Sequence, residues 1–196
     1  QSYEDRLGHK DSRDCPIVRR QSGGGAIVHD QELTYTLALP ASVPMARDAQ
    51  TLYEAVHRSL LDALAEWQIV ARLCQSPAKV APHAEPFLCF ERRSSGDVLL
   101  GESKICGSAQ RRNRGAVVQH GSVLLAKSTS APRLAGIAEL SGVRLKPAQL
   151  IATWQPRLSR EVGLELTVGR LDAAAQLQVS TLAVEKYDMQ RWTRRR

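Results

Sequence analysis

Three consecutive glycines, Gly23-Gly24-Gly25, follow Arg19-Arg20-Gln21-Ser22 and lead into Ala26, with the chain's His-Asp pair at His29 and Asp30 just beyond. Glycine removes the side-chain barrier to close backbone approach and to positive φ, so this run is a bare, bendable row of N–H groups beside two fixed positive charges. Such a stretch either holds a phosphate or carboxylate or makes a tight turn between two strands. The glycines alone leave both readings open.

The 196 residues, 43% of them hydrophobic, suffice for one large domain with a sizeable core. No apolar run approaches the roughly 18 residues that span a bilayer, and Gln1-Ser2-Tyr3-Glu4-Asp5-Arg6 lacks the apolar stretch of a signal peptide. A cytoplasmic protein with no membrane partner is expected. Cys15, Cys74, Cys89 and Cys106 are widely spaced, with no Cys-x-x-Cys pair and no clustered histidines, so reduced thiols and no metal site are expected. The formal net charge of +7 points to an acidic partner. Arg111, Arg112 and Arg114 form one basic cluster, and Arg191, Arg194, Arg195 and Arg196 read as a frayed, solvated tail. Aromatics make up only 5% of the chain and do not interleave a basic strand, so single-strand stacking is poorly supported and an acidic protein fits at least as well.

Pattern along the chain gives an α+β domain. Ile17-Val18-Arg19 and Ala26-Ile27-Val28 read as short strands flanking the glycines, and the alternation Leu33, Tyr35, Leu37, Leu39 predicts a half-buried strand ended by Pro40. Asp48 is a plausible N-cap for a helix whose stripe Leu52, Val56, Leu60, Leu64 runs to about Trp67. Gln75 to Pro86, with Pro77 and Pro82, reads as a loop into Phe87-Leu88-Cys89-Phe90. A hairpin is predicted from Asp97 to Gly101 and Ser103 to Ala109, a further strand over Ala116 to Ala126, and helices over Pro147 to Leu158 and Asp172 to Tyr187. Ala131-Pro132 to Pro147 reads as a connection from the sheet to a helical cap.

No Gly-Lys-Ser/Thr follows the glycines and they lack Gly-x-Gly-x-x-Gly spacing, so neither a Walker loop nor a dinucleotide turn is present. A different pattern emerges when Arg19 to Asp30 is read with Gly101-Glu102-Ser103-Lys104-Ile105-Cys106-Gly107-Ser108-Ala109-Gln110-Arg111-Arg112 and with Gln119-His120-Gly121-Ser122-Val123-Leu124-Leu125. These three motifs, in this order, resemble the lipoate and octanoate branch of the lipoate/biotin protein ligase superfamily, from about Ile17 to the Trp192-Thr193-Arg194-Arg195 ending. The resemblance implies a central mixed sheet flanked by helices, with the glycine segment and the Lys104 strand forming a pocket for an acyl chain or acyl-adenylate. It also implies one catalytic domain over residues 1–196 that lacks the family's N-terminal strand-helix-strand.

Within that superfamily a ligase activates a free carboxylate with ATP and Mg, whereas a transferase starts from a carrier thioester and needs no nucleotide. In the cysteine-dependent octanoyltransferase branch, a cysteine before phenylalanine lies fifteen residues ahead of the motif lysine, the spacing of Cys89-Phe90 and Lys104 (104 − 89 = 15). After His29-Asp30 the chain continues Gln31-Glu32-Leu33-Thr34-Tyr35, which resembles the transferases, where ATP-dependent ligases more often have Gly-Asn. The chemistry asks for such a pair: a free thiol is only about 3% thiolate at neutral pH, and a nearby ammonium favours the thiolate and can polarise a thioester carbonyl.

The resemblance therefore implies an octanoyltransferase of lipoate assembly, with Cys89 and Lys104 catalytic and no cofactor. It takes its acyl group from acyl carrier protein and passes it to a lipoyl-domain protein such as glycine-cleavage H protein or a 2-oxoacid dehydrogenase acyltransferase subunit. Arg20, Ser22, Gly23, Gly24, Gly25, Ala26, Ile27, Val28 and His29, with Gly107, Ser108, Ala109, His120 and Gly121, are the expected substrate-binding residues. Cys106, two residues after Lys104 on a strand, is expected to share its face and to be the backup nucleophile. Cys15 and Cys74 read as packing residues. His29 reads either as ligand-facing or as a hydrogen-bonded strand end, and His120 as support for the Lys104 strand. Two alternatives are an ATP-dependent lipoate-protein ligase forming an acyl-adenylate, and a non-catalytic acyl- or carrier-binding homologue. No helix-turn-helix precedes the domain, so nucleic acid is not an expected partner, and a monomer is expected.

Overall fold

A computed structural model describes residues 3–76, 86–113 and 115–195; Pro77 and Pro82 of the proline loop, Arg114 and Arg196 lie outside them. The elements are β1 (Glu32–Pro40), α1 (Ala49–Ala65), β2 (Arg72–Leu73), β3 (Val98–Leu100), β4 (Ser103–Asn113), β5 (Ala116–Leu124), α2 (Ile137–Ser141), α3 (Pro147–Val162), α4 (Ala173–Leu182) and α5 (Gln190–Thr193). A single π turn, Ala183–Tyr187, continues α4.

The strands form one sheet in the order β1-β5-β4-β3-β2. All four pairings are antiparallel, and short hairpin connections dictate this for β3–β4 and β4–β5. The mixed character implied by the resemblance contracts to one parallel contact outside the strands, the bridge between Ala26 and Leu88. Ile17 to Arg19 and Ala26 to Val28 are accordingly not strands beyond that bridge. Side chains hold the first stretch in place of a ladder: Trp192 Nε1 donates to the Arg19 carbonyl at 2.7 Å, and Arg19 Nε to the Thr193 carbonyl at 2.8 Å.

Alternation in β1 and the helical stripe meet on one face of the sheet. Asp48 caps α1 by accepting from the Thr51 N–H at 2.6 Å, and Leu52, Val56, Leu60 and Leu64 are fully buried against Leu37, Leu39, Ile105, Val117 and Val123. α3 packs beside α1, where Trp154 donates to Ser59 Oγ at 2.8 Å and meets the Tyr35 ring edge-on at 4.9 Å. Burying all of this on one side leaves the other face of the sheet for the site. Among the described residues no helix is long and apolar enough to cross a membrane.

Local pattern gave no notice of β2, of α2 inside the expected connector, or of the 3-10 turns Glu4–Gly8 and Lys10–Ser12. The tail expected to be frayed is docked: Arg194 stacks over Tyr3 at 5.2 Å, and Arg195 over Trp192 at 3.7 Å.

Candidate active site

The register of β4 decides which side chains reach the free face. Leu99 pairs with Lys104 but Val98 with Cys106, so β4 carries one extra residue at this point, a β-bulge. The slip turns Ile105 and Cys106 both toward the core, each at 0% exposure, and sends Lys104 to the opposite side over Gly107. A Cβ on Gly107 would stand 2.3 Å from Lys104 Cε, so only glycine leaves room for that lysine. The expectation that Cys106 shares the Lys104 face is therefore corrected. Its thiol lies 3.7 Å from His57 Nε2, and burial pushes its pKa far up, with nearby Asp97 adding to the effect. A buried, protonated thiol is no backup nucleophile.

Cys89 reaches the same place from the other side of the chain. The turn Cys89–Glu91 lies against β4, and the Cys89 N–H donates to the Ala26 carbonyl at 2.8 Å, while the Ala26 N–H donates to the Phe87 carbonyl at 3.2 Å. These two bonds lock the end of the glycine run onto the cysteine turn. Gly25 makes the fit possible, since a Cβ there would lie 3.0 Å from both Cys89 Cα and Cys89 N. Cys89 is half-buried, and Lys104 Nζ lies 4.0 Å from its Sγ.

Lys104 has the partner a buried ammonium requires. Nζ donates to Asp97 Oδ2 at 2.8 Å, with side chains only 4% and 1% exposed. Asp97 in turn accepts from the Ser94 N–H at 2.6 Å and from the Tyr53 hydroxyl at 2.6 Å, and Tyr53 accepts from the Ser108 N–H at 3.1 Å. Its carboxylate is thus held by three donors on β4, α1 and the loop before β3. The motif reading did not include Asp97, although the rule that a strand-buried lysine needs a partner was the signal for it. Phe90 completes the setting, with Lys104 Nζ 5.6 Å from its ring centre.

Arg20 arches back over the glycines. Its Nη2 donates to the Gly25 carbonyl at 3.1 Å and would stand 2.7 Å from a Cβ on Gly24, whose φ is +101°. Burial lowers the Arg20 pKa, and neighbouring Cys89 opposes that shift. Beyond it, Ser22 Oγ and His120 Nε2 hydrogen-bond at 2.5 Å. Burial holds His120 below the ordinary histidine value, helped by the charges of Arg20 and His29. His29 pairs through Nδ1 with Glu32 at the start of β1.

Of the remaining expected residues, Gly23 is open to solvent and Ala109 lies on the free face beside His120. Ser108 and Gly121 do not line the site. They face α1, because strand alternation carries them there with Cys106, and a Cβ on Gly121 would lie 2.4 Å from Ser108 Oγ. The Ser108 hydroxyl is committed to His57 Nε2 at 2.7 Å and Tyr35 at 2.5 Å.

Next to Cys89 an apolar crevice runs between Ala26, Ile27 and Val28 on one wall and Leu88, Phe90 and Leu124 on the other. It encloses about 10 Å³, roughly the room for one water, so a longer guest would have to part its walls. Among the described residues no group of three or more His, Cys, Asp or Glu side chains gathers as a metal site. The site thus joins a thiol, a fixed ammonium and an apolar slot, the parts that acyl transfer uses.

Known proteins share this arrangement of sequence and fold. The family model described as lipoyl protein ligase A/B catalytic domain matches residues 2–144. The octanoyltransferase LipM of Symbiobacterium thermophilum is 29% identical over 91% of this chain and 74% of its own length, and that of Bacillus anthracis 27% identical over 90% and 73%. A putative lipoate protein ligase from T. acidophilum, solved with bound lipoic acid, superposes with a TM-score of 0.75 at 19% identity, covering 98% of this chain and 78% of the other.

Proposed function

Since the chain belongs to the lipoyl protein ligase A/B catalytic domain family, we infer that it is an octanoyltransferase of lipoate biosynthesis working through a thioester on Cys89. The observation that carries this reading is the half-buried Cys89 thiol 4.0 Å from the Lys104 ammonium that Asp97 fixes, on a turn whose flanking residues Leu88 and Phe90 line an apolar crevice. The octanoyl donor is an acyl carrier protein and the acceptor a lysine of a lipoyl domain. Both fit the chain's net charge of +7, which favours encounter with acidic proteins.

In the first step Cys89 Sγ attacks the carbonyl carbon of the carrier thioester. The carrier C–S bond breaks and the carrier thiolate leaves with the proton given up by Cys89. Negative charge gathers on the carbonyl oxygen in between, and the Lys104 ammonium stabilises it because Asp97 keeps that charge in place. The acyl tail lies between Ala26–Val28 and Leu88–Phe90, two segments that the close fit of Gly25 on the Cys89 backbone holds side by side. In the second step the acceptor amine displaces Cys89 and forms the amide. The donor is already a thioester, so no nucleotide enters the reaction, and the glycine run serves an acyl chain where a ligase would hold phosphate. A cytoplasmic monomer belongs to the same reading.

The test is to incubate the protein with octanoyl carrier protein in the absence of ATP and measure intact mass. An octanoyl adduct that disappears in Cys89→Ser, with the variant still folded, is expected. No adduct, together with ATP-dependent modification of a lipoyl domain from free lipoate, would establish a ligase in its place.

A further inference from the structure

The free face of the sheet holds one charged pair for which the first step has no use. Glu32 opens β1 opposite Leu124, and its side chain is 4% exposed beneath a His29 side chain that is 63% exposed. Glu32 Oε1 accepts from the Thr34 hydroxyl at 2.6 Å and pairs with His29 Nδ1, while Oε2 is buried with no hydrogen-bond partner. A carboxylate this buried with one oxygen unused is costly unless a donor or a cation completes it. Burial works against its ionised form, yet the bonds from His29 and Thr34 outweigh that, helped a little by the nearby Ser122 hydroxyl on β5, which makes no full bond to it, so Glu32 sits below the ordinary carboxyl value. The bond from Glu32 conversely holds His29 above the ordinary histidine value, against burial and against Arg20. The other titratable or polar groups that act on the pair are His120 and Ser122 from β5, Thr34 from β1, and Arg20 from the glycine segment.

An aminolysis needs a base, because the acceptor lysine arrives protonated, and Lys104 Nζ is already engaged by Asp97 at 2.8 Å. Nδ1 of His29 is turned to Glu32, which leaves Nε2 at the solvent side as the proton acceptor. Arg20, bonded to the Gly25 carbonyl beside the Cys89 turn, is close enough for its charge to act on both His29 and Cys89.

We propose that His29 and Glu32 form the amine subsite of the second half-reaction, with His29 Nε2 as the base and Glu32 as the residue that positions it and draws the ammonium in. The proposal rests on the acyl-transfer reading above and adds the acceptor's place to it. Each proton has a destination. One leaves the lysine ammonium for His29 Nε2, the freed lone pair forms the C–N bond, the C–S bond breaks with its electrons going to Cys89 Sγ, and the surplus proton on the new amide nitrogen passes to that sulfur.

The experiment isolates octanoyl-Cys89 protein and measures the rate of octanoyl transfer to a recombinant lipoyl domain across pH 5.5 to 9. In wild type the acid limb of the profile should fall above pH 6.5. In Glu32→Gln the rate should drop about 10²-fold and the limb should move to lower pH, with the His29 ring titration followed by NMR moving the same way. His29→Gly should be slow and should recover with added imidazole, which a purely structural role would not allow. Unchanged transfer and an unchanged pH profile in Glu32→Gln would overturn the proposal, as would failure of imidazole to restore His29→Gly. Absence of any octanoyl-Cys89 species in wild type would instead remove the acyl-transfer reading, and this inference with it.

Discussion

Asp97 shows how far one side chain governs the site. Its carboxylate balances a buried ammonium and takes two further hydrogen bonds, so Asp97→Asn leaves Lys104 charged and unpaired in a nearly dry setting. Two effects are expected together: a stability loss of about 3–5 kcal/mol, seen in urea unfolding, and a first-step acylation rate about 10²-fold lower as the ammonium drifts from the thiol. A variant with wild-type acylation in a single-turnover measurement would mean that Lys104 needs no such anchor. Cys89 and Lys104 were legible as a pair only through their fifteen-residue spacing within a family resemblance. Asp97 was not, because an aspartate ahead of a hydrophobic strand looks like an ordinary turn residue until the fold brings it under the lysine.

At the scale of elements, the bulge in β4 does what no period-two pattern can announce. One extra residue inverts the facing of everything before it, so Lys104 and Cys106, which strict alternation would put on one face, end on opposite ones. The face turned to α1 carries a polar chain with consistent directions: Gln119 donates to Tyr35 at 2.9 Å, Tyr35 to Ser108, Ser108 to His57 Nε2, and His57 Nδ1 to the Gly96 carbonyl at 2.6 Å. Burial holds His57 neutral and lowers its pKa to about 4. The unfolded chain takes up a proton near the ordinary value while the folded one does not. Its contribution is therefore intact above pH 6.5 and is lost as the pH falls toward 4, by up to about 3 kcal/mol. Urea unfolding at pH 7 and pH 4.5 should show wild type losing about 2–3 kcal/mol more than His57→Gln between the two. An equal loss in both proteins would mean that His57 is protonated in the folded state. The helices themselves were easier to read, because the α1 cap and stripe are local and its burial follows from them.

For the whole molecule, the two ends of the chain meet at the glycine segment. Trp192 and Thr193 bind Arg19, Tyr187 accepts from Gln21 at 2.7 Å, and Lys186 and Arg195 stack on Trp192. These contacts brace the glycine run from behind. Trp192→Ala should speed amide hydrogen exchange in residues 19–26 by about tenfold or more while leaving β4 and β5 unchanged, and exchange in residues 19–26 that stays at the wild-type rate would show that the bridge to Leu88 suffices alone. By itself the sequence determined what short-range chemistry can determine: the strand alternation of β1, the amphipathic α1, a segment that only glycine could make, and a thiol and an amine set at a telling interval. Tertiary structure alone decided that the sheet is antiparallel throughout, that Asp97 holds Lys104, that Ser108 and Cys106 turn inward, and that a basic ending serves as a brace. The physical reason is range. Periodicity and capping are written in neighbouring residues, whereas a one-residue slip in register or a bond between positions 19 and 192 leaves no trace until the chain closes on itself.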